Sequence, residues 1–282
     1  MPGSRKPKVS ILHHLARAGG TLMSRCLGSM RTVCLLSEAH PLGMRWIDPV
    51  QQAVEWHRLM TAAEARAMLA RGPMRFDTLI ALLAERAAQR GRTLVVRDWT
   101  HLDFHGVPYA EPAMRCRTAV ALAQVCRTTR YATVRHPIDQ WVSVSALPRV
   151  RETLGIDAYL AGCHAFARKA ARLGFGRYED FTRDPEGELR AMCKWLRVEY
   201  DPSWRTRWTG NRHVTGDTGP DRSRPTEIRP SRRRSVEPGI LRAFERNDDY
   251  WETLRLLGYE HRRAPAGGAA GGRVLRAPGR RW

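Results

Sequence analysis

Short apolar runs of strand length recur along this chain, and stretches with helical spacing separate them. The runs are VSILHH, RTLVVRD, RYATVRHP and FGRYEDF, each ended by glycine, proline or a polar turn. Strands this short and this apolar are buried on both faces, which is the condition of a parallel sheet. The helical stretches are TLMSRCLGSM, starting near Thr21, then VQQAVEWHRLM, AAEARAMLA and FDTLIALLAERAAQR, the last closing at Gly91. IDQWVSVSAL and AYLAGCHAFARKAARLG follow, and after them DPEGELRAMCKWLRV, where Asp184 is a good cap and Pro185 takes the first helical position. GILRAFERNDDYWETLRLLGY closes the series as a helical pair. The alternation predicts an α/β fold with a mostly parallel central sheet flanked by helices. No internal repeat is visible.

The organisation expected along the chain is a loose lead-in over residues 1–7, a folded domain over 8–260, and a disordered basic tail over 261–282. Between about 209 and 236 the chain turns polar and arginine-rich, as a long functional loop does. The formal net charge of +20 is carried by arginine, since lysine occurs only at Lys6, Lys8, Lys169 and Lys194. Guanidinium forks suit planar anions such as phosphate, sulfate and carboxylate. The arginines are spread out, and no zinc-finger, RNP-like or basic-heptad pattern accompanies them, so nucleic acid is not expected as the main ligand. Six scattered cysteines form no CxxC pair; they read as buried reduced thiols, not as a disulfide frame or a metal site. With no secretory signal and no membrane span in view, a soluble cytoplasmic protein is expected.

Two turns carry the chemistry. HHLARAGGTLMSRCL leaves the first strand through ARAGGT and enters a helix at once. Paired glycines there are either steric punctuation or a seat for an anion on unpaired main-chain amides. Arg17 adds a cation and Thr21 a hydroxyl; the GxxxxGK[ST] pattern of nucleoside-triphosphate sites is missing. VRHPIDQWVSV then places Arg135 at a strand end and Ser143 on the following helix, where both can reach a second anion.

Together HHLARAGGT and VRHPIDQWVSV resemble the two phosphate-binding elements of sulfotransferases that use 3′-phosphoadenosine 5′-phosphosulfate (PAPS). RYEDFTRDPEGELRAMCKWLRVEYDP is similar to that family's strand–helix element, and VTGDTGPDRSRPTEIRPSRRRSV to the loop of its bacterial members. The resemblance spans roughly residues 8 to 260 and implies the P-loop-containing, three-layer sulfotransferase-like fold. It implies that Arg17, Ala18, Gly19, Gly20 and Thr21 cradle the 5′-phosphosulfate, with Arg17 where a lysine is commoner. It implies that Arg135 and Ser143 hold the 3′-phosphate, that Tyr178 contacts adenine, and that one of Arg232, Arg233 and Arg234 closes over the 3′-phosphate. The reaction implied is in-line transfer of a sulfuryl group to a hydroxyl or amine, with adenosine 3′,5′-bisphosphate as product and no metal. Arg17 and Thr21 would receive the charge on the leaving oxygen.

Two residues compete as the base: Glu38 in LLSEAHP, slightly favoured, and His101 in RDWTHLDF, with Asp98 and His105 nearby as groups to orient the acceptor. A phosphotransferase reading also stands, supported by Asp98 at a strand end where magnesium-holding carboxylates occur. The acceptor is open between a small molecule, a glycan and a peptide. Its site is expected between Trp46 and Arg90 and along Trp99 to Tyr109, with Trp46, Trp56, Trp99 and Tyr109 as stacking rings.

Overall fold

Five strands pair in parallel in the order β2-β3-β1-β4-β5: β1 Lys8–His14, β2 Val33–Ala39, β3 Thr93–Asp98, β4 Arg127–Val134 and β5 Phe175–Arg177. The computed structural model describes residues 6–107, 109–216, 226–230 and 233–261, apart from the Arg149 side chain. The expected lead-in, bar its last two residues, and all of the tail but His261 therefore lie outside the described residues. Strand pleating divides the side chains between two faces. Val9 and Ile11, Cys34 and Leu36, Leu94 and Val96, Ala132 and Val134 join one core with the helices Phe76–Gln89, Ile156–Leu173 and Asp248–Leu257. Leu12, Val33, Leu35, Val95 and Tyr131 join the other, under Gly20–Leu27 and Pro185–Leu196. Helix, sheet, helix is the three-layer arrangement that the strand pattern demands.

The strand β2 is not among the four strands that the sequence predicts. Met23, Leu27, Met30 and Cys34 continue a helical period across the boundary, which hides the change to extended chain. All seven residues of β2 are buried although it is an edge strand. Its free edge is covered by the segment 49–56, which is not the regular helix expected: one α turn, Pro49–Gln51, runs into a π-helical turn, Gln52–Trp56. From there the Gln52 side chain accepts from Ser37 N (2.7 Å) and donates to Ser37 O (2.9 Å), and His57 Nε2 pairs with Leu35 O at 2.8 Å. Side chains thus satisfy strand groups that another strand would otherwise seek.

Elsewhere the differences are local. A helical turn, His101–Phe104, sits inside the expected loop, and FGRYEDF passes from strand to helix at Tyr178. Asp184 caps as expected, accepting from Gly187 N at 2.9 Å ahead of Pro185. The six cysteines are buried and free. Among the described residues no helix is long and apolar enough to cross a membrane.

Candidate active site

Neighbouring strands β1 and β4 send the chain in opposite directions, β1 towards β2 and β4 towards β5. Such a divergence opens a crevice beyond the carboxyl ends of the two strands. The glycine turn enters it with Arg17 at φ 65° and Gly19 at φ 82°, both left-handed. A Cβ on Gly19 would lie 2.1 Å from the Tyr178 ring, and one on Gly20 2.3 Å from His14. Both glycines are therefore sterically required, and their bareness lets Tyr178 and His14 close directly on the main chain. Helix Gly20–Leu27 has no side-chain cap at its N-terminus, so its first turn keeps the character of an anion seat. Ala18 is buried beneath the turn, its N–H bonded to Leu15 O at 3.3 Å.

A cavity of about 810 Å³ opens in front of this turn. Its polar end is organised by Arg97, which is buried on β3 with its side chain 3% exposed. Arg97 donates from Nε to His14 Nε2 (3.1 Å), from Nη1 to Ser37 Oγ and Thr215 O (both 2.8 Å) and from Nη2 to Thr21 Oγ1 (3.3 Å), and pairs with Glu38 Oε1 at 3.5 Å. Glu38 reaches the cavity because β2 is irregular between Ser37 and Ala39, where Glu38 adopts φ 53°. A regular pleat would send it to the other face; the bulge ejects it into the crevice. Thr215 Oγ1 donates to Glu38 Oε2 at 2.6 Å, and Gly216 lies against Glu38, Arg97 and Thr21.

Tautomers separate the candidate bases. The Trp99 indole N–H, which can only donate, points at His101 Nε2 at 2.7 Å. The proton of His101 therefore sits on Nδ1, a buried atom without a hydrogen-bond partner, and no lone pair is left to take another. Burial first, then Arg97 and His40, hold this imidazole at about 3. His14 is arranged alike: Arg97 occupies Nε2, Nδ1 is unpartnered, and burial together with Arg97 keeps the ring neutral. Glu38 is the one carboxylate among the described residues lining this cavity.

A second cavity of about 490 Å³ adjoins the first, and Arg17, Arg135 and Tyr178 line both. Arg17 Nε donates to Ser143 Oγ at 2.9 Å, Arg135 Nη1 donates to Arg17 O at 3.3 Å, and the Arg135 guanidinium lies 4.7 Å from the Tyr178 ring centroid. Arg135 Nε is buried without a partner. Arg233 and Arg234 complete the basic wall, with Arg233 3.5 Å from Asp139; Arg232 lies outside the described residues. The sequence-expected Arg135, Ser143, Tyr178, Arg233 and Arg234 are thus brought together. Arg17 turns its Nε towards this group.

Asp98 and His105 face elsewhere. Asp98 accepts from His13 Nδ1 (2.8 Å), Thr100 (2.9 Å) and Thr118 (2.6 Å); burial would raise its carboxyl, but these bonds hold it at about 2. His105 stacks on Tyr159 and bonds Tyr159 O at 3.2 Å. Of the four aromatic candidates only Trp99 lines the cavity; Trp46 stacks on Tyr109, and Trp56 on His213. Sequence reasoning missed Arg97, His14 and the wall at Leu147, Pro148 and Val150. The signal for Arg97 was a charge inside an otherwise apolar strand.

Fold and site together define a parallel α/β protein with a basic, two-chambered cleft at its switch point. Among solved structures it is similar to the sulfotransferase domain of the Synechococcus PCC 7002 olefin synthase, with a TM-score of 0.61 and 16% identity over 92% of this chain and 98% of that one. A sulfotransferase from Alicyclobacillus acidocaldarius also matches, at TM-score 0.46 and 14% identity over 91% of this chain and 98% of that one. At such identities the likeness concerns the fold, which is sulfotransferase-like. No protein-family model matches the chain, and no curated protein matches its sequence.

Proposed function

We propose that the protein is a PAPS-dependent sulfotransferase. The observation that carries this reading is the pair of adjoining cavities that share Arg17, Arg135 and Tyr178. One has a glycine turn and Glu38; the other gathers Arg17, Arg135, Arg183, Arg233 and Arg234 beside Asp139 and Glu179. That is the layout for a ligand with an anionic group at each end and a ring between. The fit is supported by the unpartnered, buried Arg135 Nε and by the close approach of Tyr178 to bare Gly19. Arg135, Ser143, Arg233 and Arg234 would hold the 3′-phosphate, Tyr178 the adenine, and Gly19, Gly20 and Thr21 the 5′ end. Bound there, the donor supplies a sulfuryl group whose bond to the 5′-phosphate oxygen breaks, with the electron pair, as a bond to the acceptor oxygen forms.

Glu38 takes the acceptor's hydroxyl proton, a task for which it is already held by Arg97 and Thr215. Thr21, Arg97 and the first-turn amides are placed to stabilise charge at the leaving oxygen. Asp98, fully engaged by His13, Thr100 and Thr118, does not face the cleft, which removes the support for a phosphotransferase. Calorimetry tests the reading. Adenosine 3′,5′-bisphosphate should bind about 10- to 100-fold more tightly than 5′-AMP, and Arg135→Ala should erase most of that difference, since a charge-assisted bond contributes about 1.5–3 kcal/mol. Equal affinities for the two nucleotides would overturn it.

A further inference from the structure

Resting on that reading, we infer that the acceptor is a neutral alcohol on an apolar scaffold, not a glycan and not an amine. Away from its polar end the large cavity is walled by Leu22, Trp99, Val107, Leu147, Pro148 and Val150. These come from three separate parts of the chain: the first helix, the segment after β3 and the first turn of the helix Pro148–Thr153 with its cap Leu147. A sugar brings several hydroxyls, and the described side chains of this wall offer them no partner, so each would be buried unpaired at a cost. Trp99 is the residue best suited to hold a sugar ring, yet its indole N–H is already spent on His101. It has no donor left for a sugar hydroxyl.

Protonation disfavours the amine. Arg97 lines the cavity 3.5 Å from Glu38, which is the one carboxylate there among the described residues. An ammonium group would have to compete with Arg97 for that carboxylate, and while protonated it has no lone pair with which to attack. A neutral hydroxyl meets neither penalty. Its oxygen attacks the sulfur, its proton passes to Glu38, and its apolar remainder covers the wall.

The test uses the full-length protein and labelled PAPS, with calorimetry on adenosine 3′,5′-bisphosphate run beside it. The acceptors are primary alcohols from butan-1-ol to octan-1-ol, octylamine and methyl glucoside. The alcohols should be sulfated with kcat/KM rising about fourfold per methylene, the factor for burying one such group. Octylamine and methyl glucoside should fall at least about 100-fold below octan-1-ol. Leu147→Asn should lower kcat/KM for octan-1-ol about tenfold, leaving bisphosphate affinity unchanged; that affinity also reports folding, and Val107→Ala is the milder substitute. Preference for the amine or the glucoside, a flat chain-length series, or no sulfation of any acceptor with bisphosphate still bound, would overturn the inference alone. Failure to bind the bisphosphate would overturn the donor reading and the inference with it.

Discussion

Arg17 and Glu38 both hold left-handed backbone without being glycine. Such residues cost about 1–3 kcal/mol each and persist where the surroundings over-determine them. Here Arg17 is held by Ser143 and Arg135, and Glu38 by Thr215 and Arg97. The two candidate bases then make opposite predictions. Glu38→Gln keeps the shape and the Thr215 bond but cannot take a proton; turnover should fall about 10²- to 10⁴-fold with bisphosphate affinity retained. His101→Ala should change turnover only a few-fold, because its basic nitrogen is already occupied by Trp99. Single-turnover sulfation by the two variants decides the matter, and full activity in Glu38→Gln would cancel the assignment. Glu38 was legible as a residue type near the first helix. Its orientation was not, because a bulge has no signature in VCLLSEA.

At the scale of elements, the bulge depends on a side chain fifteen residues away. Gln52 binds both main-chain groups of Ser37, the residue immediately before Glu38, and does so from a π-helical turn. Gln52→Ala would leave a buried N–H and a buried C=O unsatisfied, at about 1–3 kcal/mol each. Thermal unfolding should show a lowered Tm, and turnover should fall with little change in bisphosphate affinity, since the second cavity is untouched. A variant with wild-type Tm and turnover would show that β2 holds its irregularity unaided. Local spacing misleads twice in this region, passing over β2 and taking 49–56 for a regular helix. In both places tertiary contacts at the sheet edge override a local period that is itself consistent.

Across the whole molecule, buried neutral histidines tie stability to pH. Burial, opposed by the bond to Leu35 O, holds His57 at about 4; burial and then His101 hold His105 at about 3. In the unfolded chain both titrate near 6.5. Between about pH 4 and 6.5 the unfolded state therefore binds more protons, so stability rises with pH there and is lost on acidification. The slope approaches about 1.4 kcal/mol per pH unit for each histidine. Asp98, at about 2, keeps its contribution until far lower pH. Urea midpoints should thus fall as pH drops from 7 to 5, and His57→Gln should flatten the dependence. A midpoint constant across that range would contradict the neutral state of these rings.

The amino-acid order by itself determined the α/β class, four of the five strands and the residues that could meet an anion. It could not say which of two adjacent residues would serve. His13 and His14, and likewise Arg97 and Asp98, are chain neighbours with opposite fates: His14 and Arg97 face the cleft, while His13 and Asp98 pair with each other on the far side of the sheet. Pleating sends consecutive side chains to opposite faces, and register decides which face meets what. The pairing of Ser37 and Leu12 with Arg97 is what brings β1, β2 and β3 to bear on one guanidinium. Only the assembled sheet sets that register, because the partners lie 60 to 85 residues apart and no local spacing encodes their alignment.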